Sequence, residues 1–187
     1  MDSPETQDVL SRTLQIIQLR DGHRAASDDL LLAWTAARSC PDASTVLDLG
    51  SGKGTVALLL ARRLPNCTIV GVEAVAESYR LAQRNAALNG LAQRYHPIWG
   101  DFRDASLLQG SGPFDLICGA PPFMPPGSGV MPRESTRVAG RFQLRGGVEA
   151  YAEAAACHLD PAGWVVLLMP GQDRLRAERA VQRVGLN

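Results

Sequence analysis

Short apolar runs alternate with amphipathic segments along most of the chain. Residues 45–49 form a continuous apolar run that ends in glycines, and 55–64 places Ala and Leu at helical spacing until Pro65-Asn66 breaks it. A second strand is predicted at 67–72, and an amphipathic helix over 77–88 is stopped by Asn89-Gly90. Further strands are predicted at 95–99 and 114–118. A helix over 148–159 then leads through an Asp160-Pro161-Ala162-Gly163 turn into a fifth strand at 164–169, and a last helix covers 173–184. Strands apolar on both faces and separated by helices predict a mainly parallel α/β sheet covered on both sides.

Two segments depart from this alternation. Residues 1–40 read as an N-terminal helical preface to a compact unit over 41–187, and 120–147 is a long loop rich in Pro, Gly and Arg. A loop of that length inside a domain is more often functional than idle. Trp34 and Trp164 are expected in the core.

Composition narrows the functional classes. With 187 residues the chain can bury a core without staples, and 19 basic against 19 acidic residues leave no net charge. Nucleic-acid binding through a bulk positive field is therefore disfavoured, although a local basic patch is not. Lys53 is the sole lysine, and arginine supplies the remaining positive charge. Cys40, Cys67, Cys118 and Cys157 lie far apart without a C-x-x-C pair, and His23, His96 and His158 have no mutual metal spacing, so neither a disulfide framework nor a metal site is predicted. The polar, acidic start is unlike a signal peptide, and no apolar stretch reaches spanning length. A cytoplasmic protein without membrane association is expected.

The chemistry concentrates in Asp48-Leu-Gly50-Ser51-Gly52-Lys53-Gly54, between the first strand and its helix. Glycines let the backbone turn sharply and approach a ligand, while the helix N-terminus offers free N–H groups. A P-loop would require Ser or Thr after Lys53, where Gly54 stands, and Ala57 occupies the place of a third dinucleotide-fingerprint glycine. What remains is D-x-G-x-G-x-G. Glu73 ends the second strand, where a carboxylate can accept both hydroxyls of a ribose. Asp101-Phe102 follows the third, where the carboxylate can receive an adenine amino group. Trp99, just before Asp101, is expected either in the core or bordering that adenine pocket. Carboxylates at successive strand ends favour a nucleoside without phosphates. In this arrangement the sequence resembles the class I S-adenosylmethionine-dependent methyltransferases. That resemblance implies a Rossmann-like sheet and S-adenosyl-L-methionine held by Asp48, Gly50, Ser51, Gly52, Gly54, Glu73, Asp101 and Phe102.

After the fourth strand, Ala120-Pro121-Pro122-Phe123 is similar to the N-P-P-[YF] motif of methyltransferases that modify planar nitrogens. There an Asn oxygen and a following carbonyl accept hydrogens from the target NH2, and the aromatic ring stacks on the substrate. Gly22-His-Arg-Ala-Ala-Ser-Asp28 with Leu30-Leu-Leu-Ala33, Asn85 to Leu91, and the loop from Pro121 to Leu144 more closely resemble the small-domain methyltransferases of adenine N6 in bacterial valine tRNA. The resemblance implies that Ala120, Pro121, Pro122 and Phe123 form the catalytic loop. Asp28 serves as a cofactor-site acid or as a helix N-cap together with Ser27, and Phe123, Arg133, Arg137 and Arg141 contact the substrate, the arginines gripping tRNA phosphates.

Two departures qualify that activity. Ala120 replaces the motif Asn, and Phe142-Gln143 replace a His-Glu pair. Weakened or retargeted amine methylation is expected. A glutamine-N5 protein methyltransferase, a small-molecule methyltransferase and a non-catalytic cofactor-binding partner protein stand as alternatives. The class also normally carries two further strands after its last helix, and the chain stops at Val184-Gly-Leu-Asn187, so a sheet without those C-terminal strands is expected. No motif specifies an oligomeric state.

Overall fold

The computed structural model describes residues 4–124, 136, 138 and 142–186. An antiparallel hairpin, β1 (Glu5–Ser11) and β2 (Leu14–Leu19), leads to α1 (Ser27–Ser39), β3 (Thr45–Leu49), α2 (Thr55–Arg63), β4 (Thr68–Glu73), α3 (Ala76–Leu88) and β5 (Tyr95–Trp99). β6 (Phe114–Gly119), α4 (Val148–His158), β7 (Leu159–Leu167) and α5 (Arg174–Arg183) complete the order. Five parallel strands pair in the order β5-β4-β3-β6-β7, as the continuous apolar runs predict. The order reverses beside β3, which opens a crevice beyond the carboxyl ends of the strands.

Alternate residues divide the core into two layers. Val46, Ile69, Leu116 and Cys118 pack beneath α1, α2 and α3, while Leu47, Leu49, Val72 and Ile117 face α4 and the segment carrying Phe102 and Leu108. The turn predicted at Asp160–Gly163 is accommodated inside β7 as a bulge, because Phe114 pairs with Leu159 but Leu116 with Trp164. An Asx bond from Ala162 N–H to Asp160 Oδ1 (2.8 Å) shapes it.

The preface is helical only from Ser27 onward. Residues 5–19 form the hairpin instead, since Leu14 and Ile16 are buried while Gln15 between them is exposed, a period of two. The N-cap is Ala26 rather than Ser27 or Asp28, and Asp29 Oδ2 accepts the Ala26 N–H at 3.0 Å. The tryptophans also differ from expectation. Trp34, Trp99 and Trp164 are 44%, 60% and 54% exposed. Two of them have partners at the surface: Arg38 lies over Trp34, and Trp99 stacks near Tyr79 and donates Nε1–H to Ala74 O. No helix among the described residues is long and apolar enough to cross a membrane.

The hairpin is docked by two side-chain amides. Asn85 Oδ1 accepts Ile17 N–H (2.7 Å), and its Nδ2 donates to Ile17 O and Lys53 O (both 3.0 Å). One helical turn on, Asn89 exchanges the same pair of bonds with Gln15 (2.9 and 2.8 Å). The pairing works because residues four apart on a helix rise by about 6 Å and residues two apart on a strand by roughly 6.6 Å. Two asparagines thereby imitate a neighbouring strand and cover the outer edge of β2. Replacing Asn85 with Ala leaves buried backbone groups unpaired, which costs about 2 kcal/mol or more. Asn85→Ala should lower the melting temperature and speed amide exchange in residues 14–19 ahead of the main sheet, as read by hydrogen–deuterium exchange. Unchanged protection there would show that the amides do not hold the hairpin.

Candidate functional site

A cavity of about 660 Å³ lies over the carboxyl ends of β3, β4 and β6, and its walls join the Gly-rich turn, the N-terminal segment and the loop after β6. Of the residues predicted to hold a cofactor, Asp28, Asp48, Gly50, Ser51, Gly52, Glu73, Asp101 and Phe102 line it. Ala120, Pro121, Pro122 and Phe123 line it too. Gly54 does not. It caps α2 at φ 88°, and a Cβ there would meet the Tyr95 ring at 2.8 Å, so this glycine serves packing. Arg133, Arg137 and Arg141 fall outside the described residues, whereas Arg145 of the same loop reaches the cavity wall.

Asp48 sits on the central strand opposite Gly71 of β4 and Cys118 of β6. Its Oδ1 receives the Cys118 thiol at 3.8 Å, and its buried Oδ2 has no hydrogen-bond partner in the described structure. Burial pushes its carboxyl up to about 8, and the charges of Asp29 and Glu73 add to the shift. A cation entering the cavity would relieve this carboxylate.

Glu73 is also buried, but its oxygens are occupied. Oε2 accepts Gly52 N–H (2.8 Å) and Oε1 accepts Val75 N–H (2.6 Å), so the residue both faces the cavity and braces the Gly-rich turn. Burial raises its pKa, with the Val75 and Gly52 bonds opposing. Each carboxylate oxygen keeps a lone pair for a ligand hydroxyl. Asp101 is held by Arg103, whose Nε and Nη2 reach its two oxygens at 2.9 and 2.6 Å. That pairing, more than any other contact, lowers the Asp101 pKa.

Three residues that sequence reasoning passed over complete the site. Tyr151 of α4 lies against Gly50, where any Cβ would strike its hydroxyl, and against Gly119, where a Cβ would come within 2.8 Å of its ring. Phe102 packs edge-on to Tyr151 at 4.7 Å. Nothing local marks Tyr151, which is separated from Gly50 by a hundred residues and meets it only in the fold. Lys53 is buried on the cavity wall with Nζ donating to His23 O at 2.8 Å, and burial draws its pKa down to about 8. Its signal was visible as the chain's sole lysine. Gln143 donates Nε2–H to Phe123 O (3.0 Å) and accepts from Arg176 at 3.2 Å, while Arg176 grips both oxygens of Glu149 at 2.6 and 2.7 Å. The residue noted as a departure from a motif is therefore what fastens the loop after β6.

Asp48 keeps its proton in the folded chain up to about pH 8 and releases it in the ordinary carboxylate range once unfolded. Folded stability from this group thus falls as pH rises across that window. Asp48→Asn should raise the ligand-free melting temperature at pH 8 by on the order of 5 °C and much less at pH 4.5. Thermal melts across that range test it, and a pH-independent difference would remove Asp48 as the cause.

Comparison with known proteins gives the site a context. Residues 41–124 match the family described as "Methyltransferase domain". The chain is 35% identical over 159 residues to the tRNA1(Val) (adenine(37)-N6)-methyltransferase of Porphyromonas gingivalis, covering 82% of this chain and 60% of that protein. It is 32% identical over 149 residues to the release factor glutamine methyltransferase of Geobacter sulfurreducens, covering 75% and 50%. The chain thus spans about half to three fifths of these relatives' lengths. The crystal structure of a SAM-dependent methyltransferase from Agrobacterium tumefaciens shares the fold at a TM-score of 0.69 and 14% identity, covering all of this chain and 60% of that one.

Proposed function

We propose that the chain is an S-adenosylmethionine-dependent methyltransferase acting on a planar amine, a reading supported by the match of residues 41–124 to the methyltransferase-domain family. The observation that carries this reading is the set of carboxylates ending three adjacent strands around one cavity, one of them with a buried, unpartnered oxygen. Such a donor set suits hydroxyls and a cation and repels phosphates. Gly52, at φ 57° with open space where a Cβ would stand, keeps the turn clear for a closely bound ligand.

In this reading Asp48, Gly50, Ser51 and Gly52 hold the sulfonium and amino-acid end, Glu73 the ribose hydroxyls, and Asp101 with Phe102 the adenine. Asp28 lies at the rim. When bound, the cofactor supplies a methyl group activated by its sulfonium, so the protein's part is alignment and electrostatics. Pro121 and Pro122 keep the loop extended, and Gln143 holds the Phe123 carbonyl in place. The half-exposed Phe123 ring offers a stacking face to a flat acceptor. The Pro121 carbonyl accepts an amine hydrogen, but Ala120 supplies no second acceptor, and the acceptor lone pair is freed less completely.

Among acceptors, adenine N6 in tRNA has the support of the resemblance across the leading segment and loop, with Arg133, Arg137 and Arg141 as phosphate contacts. The likeness to a release factor glutamine methyltransferase supports a protein glutamine as the second reading. Labelled methyl transfer into RNA, protein and metabolite pools separates these from a small-molecule acceptor, and cofactor binding without transfer to any pool would indicate a non-catalytic partner protein.

Titration should show S-adenosylmethionine or its demethylated product binding with a Kd on the order of micromolar. Folded protein that binds neither would overturn the cofactor reading. Glu73→Ala should weaken that binding about tenfold or more, and an unchanged affinity would remove Glu73 from the ribose site. Ala120→Asn should raise methylation of adenine N6 in tRNA by on the order of 10²-fold, the usual worth of one preorganised hydrogen-bonding group. High activity already present with Ala120, measured in the same assay, would refute this account of the loop.

A further inference from the structure

We propose that Lys53 is the anchor for the α-carboxylate of the cofactor's amino-acid end, an inference that rests on the cofactor reading above. Lys53 is only 6% exposed, on the wall of the cavity, at the tip of the Gly-rich turn that begins at Asp48. Its ammonium carries three donors, and the described structure uses one of them, toward the His23 carbonyl at 2.8 Å. Among the described residues no carboxylate lies within ion-pair distance of it. A backbone carbonyl satisfies a donor without neutralising a charge, so the buried ammonium has no carboxylate in direct contact, and Asp29 acts on it only through space.

The same cavity presents the opposite imbalance a few residues earlier. Asp48 Oδ2 is a buried carboxylate oxygen without a donor. A buried carboxyl with an unused oxygen and an ammonium with unused donors bracket one glycine turn without bonding each other, and an entering ammonium would draw the carboxyl into its ionised form, so the pair is complementary to a zwitterion. An α-amino acid group has that character: its ammonium suits Asp48 and its carboxylate suits Lys53. No other acid of the wall fills the remaining donors of Lys53: Asp29 stabilises the ammonium from beyond ion-pair distance while accepting Ala26 N–H, and Glu73 accepts from Gly52 and Val75. Arg145, the other strongly basic residue on the wall, belongs to the loop that precedes α4 rather than to the turn. Lys53 is thereby assigned two duties: its bond to His23 docks the N-terminal segment onto the turn, and its remaining donors select a carboxylate.

Calorimetric titration of the full chain with S-adenosylmethionine and with its decarboxylated analogue tests the assignment, since the analogue keeps the adenosine, sulfonium and ammonium. Wild-type protein should prefer the carboxylated ligand by roughly 10- to 100-fold, the worth of a charge-assisted hydrogen bond. Lys53→Met should lose that preference while holding the analogue within about threefold of wild type, and Lys53→Arg should retain most of it. Wild type that binds both ligands equally overturns the inference without any variant. So does Lys53→Met that weakens both in parallel, because a purely structural role lowers all affinities alike. Protein that binds neither ligand overturns instead the cofactor reading on which the inference rests.

Discussion

Asp48 occupies the central strand of an otherwise apolar sheet, where one carboxylate oxygen meets the Cys118 thiol and the other meets no protein donor. A charge in that position is costly, and the fold tolerates it by letting the carboxyl hold its proton to about pH 8. A packed hydrophobe at the same place would give a more stable apoprotein. In the proposed reading a ligand supplies the missing solvation, and stability given up at a site in this manner is a common exchange for function. The residues around Asp48 are arranged about the glycine turn.

Backbone clearance is the first part of that arrangement. Gly50 and Gly119 make room for Tyr151, and Gly54 and Gly71 make room for Tyr95. Two buried phenols from distant segments thus fill the space that side chains on the turn and on β4 and β6 would otherwise claim. The second part is the N-terminal hairpin. Asn85 and Asn89 fix it to α3 through backbone bonds, and Lys53 ties the following segment to the glycine turn. Because Asn85 Nδ2 also donates to Lys53 O, one amide links the hairpin, the helix and the turn. The cavity wall is therefore built from pieces bonded to one another.

The acceptor side is held differently. The loop after β6 carries no charged catalytic group at Ala120, yet it is positioned by a chain of bonds from Glu149 through Arg176 and Gln143 to the Phe123 carbonyl. Pairs as exposed as Arg176 and Glu149 add little to stability by themselves. Their value here is geometric, since the carbonyl they orient borders the cavity. The bonds therefore hold the Phe123 segment in place at the cavity wall.

Much of the fold was legible in the sequence because β3, β4 and β6 are mostly apolar runs and α2, α3 and α4 each have a glycine or asparagine at one end. The crossover pattern then requires a parallel sheet, and the positions of Asp48, Glu73 and Asp101 at strand ends follow from chain order alone. The hairpin was missed because its period of two extends over only six residues of β2 and its stabilising partners, Asn85 and Asn89, are some seventy residues away. Hydrophobicity argues for burying the tryptophans, while the ring of Trp34 and the ring and N–H of Trp99 found partners at the surface. Local pattern by itself determined the strands of the main sheet, the glycine turn and the carboxylates that line the cavity. Only the tertiary structure decided that Tyr151 closes that turn, that Lys53 and Asp48 stand unmatched in one cavity, and that Gln143 secures the loop. These are contacts between segments far apart in the chain, and their energies depend on burial and distance, which periodicity does not encode.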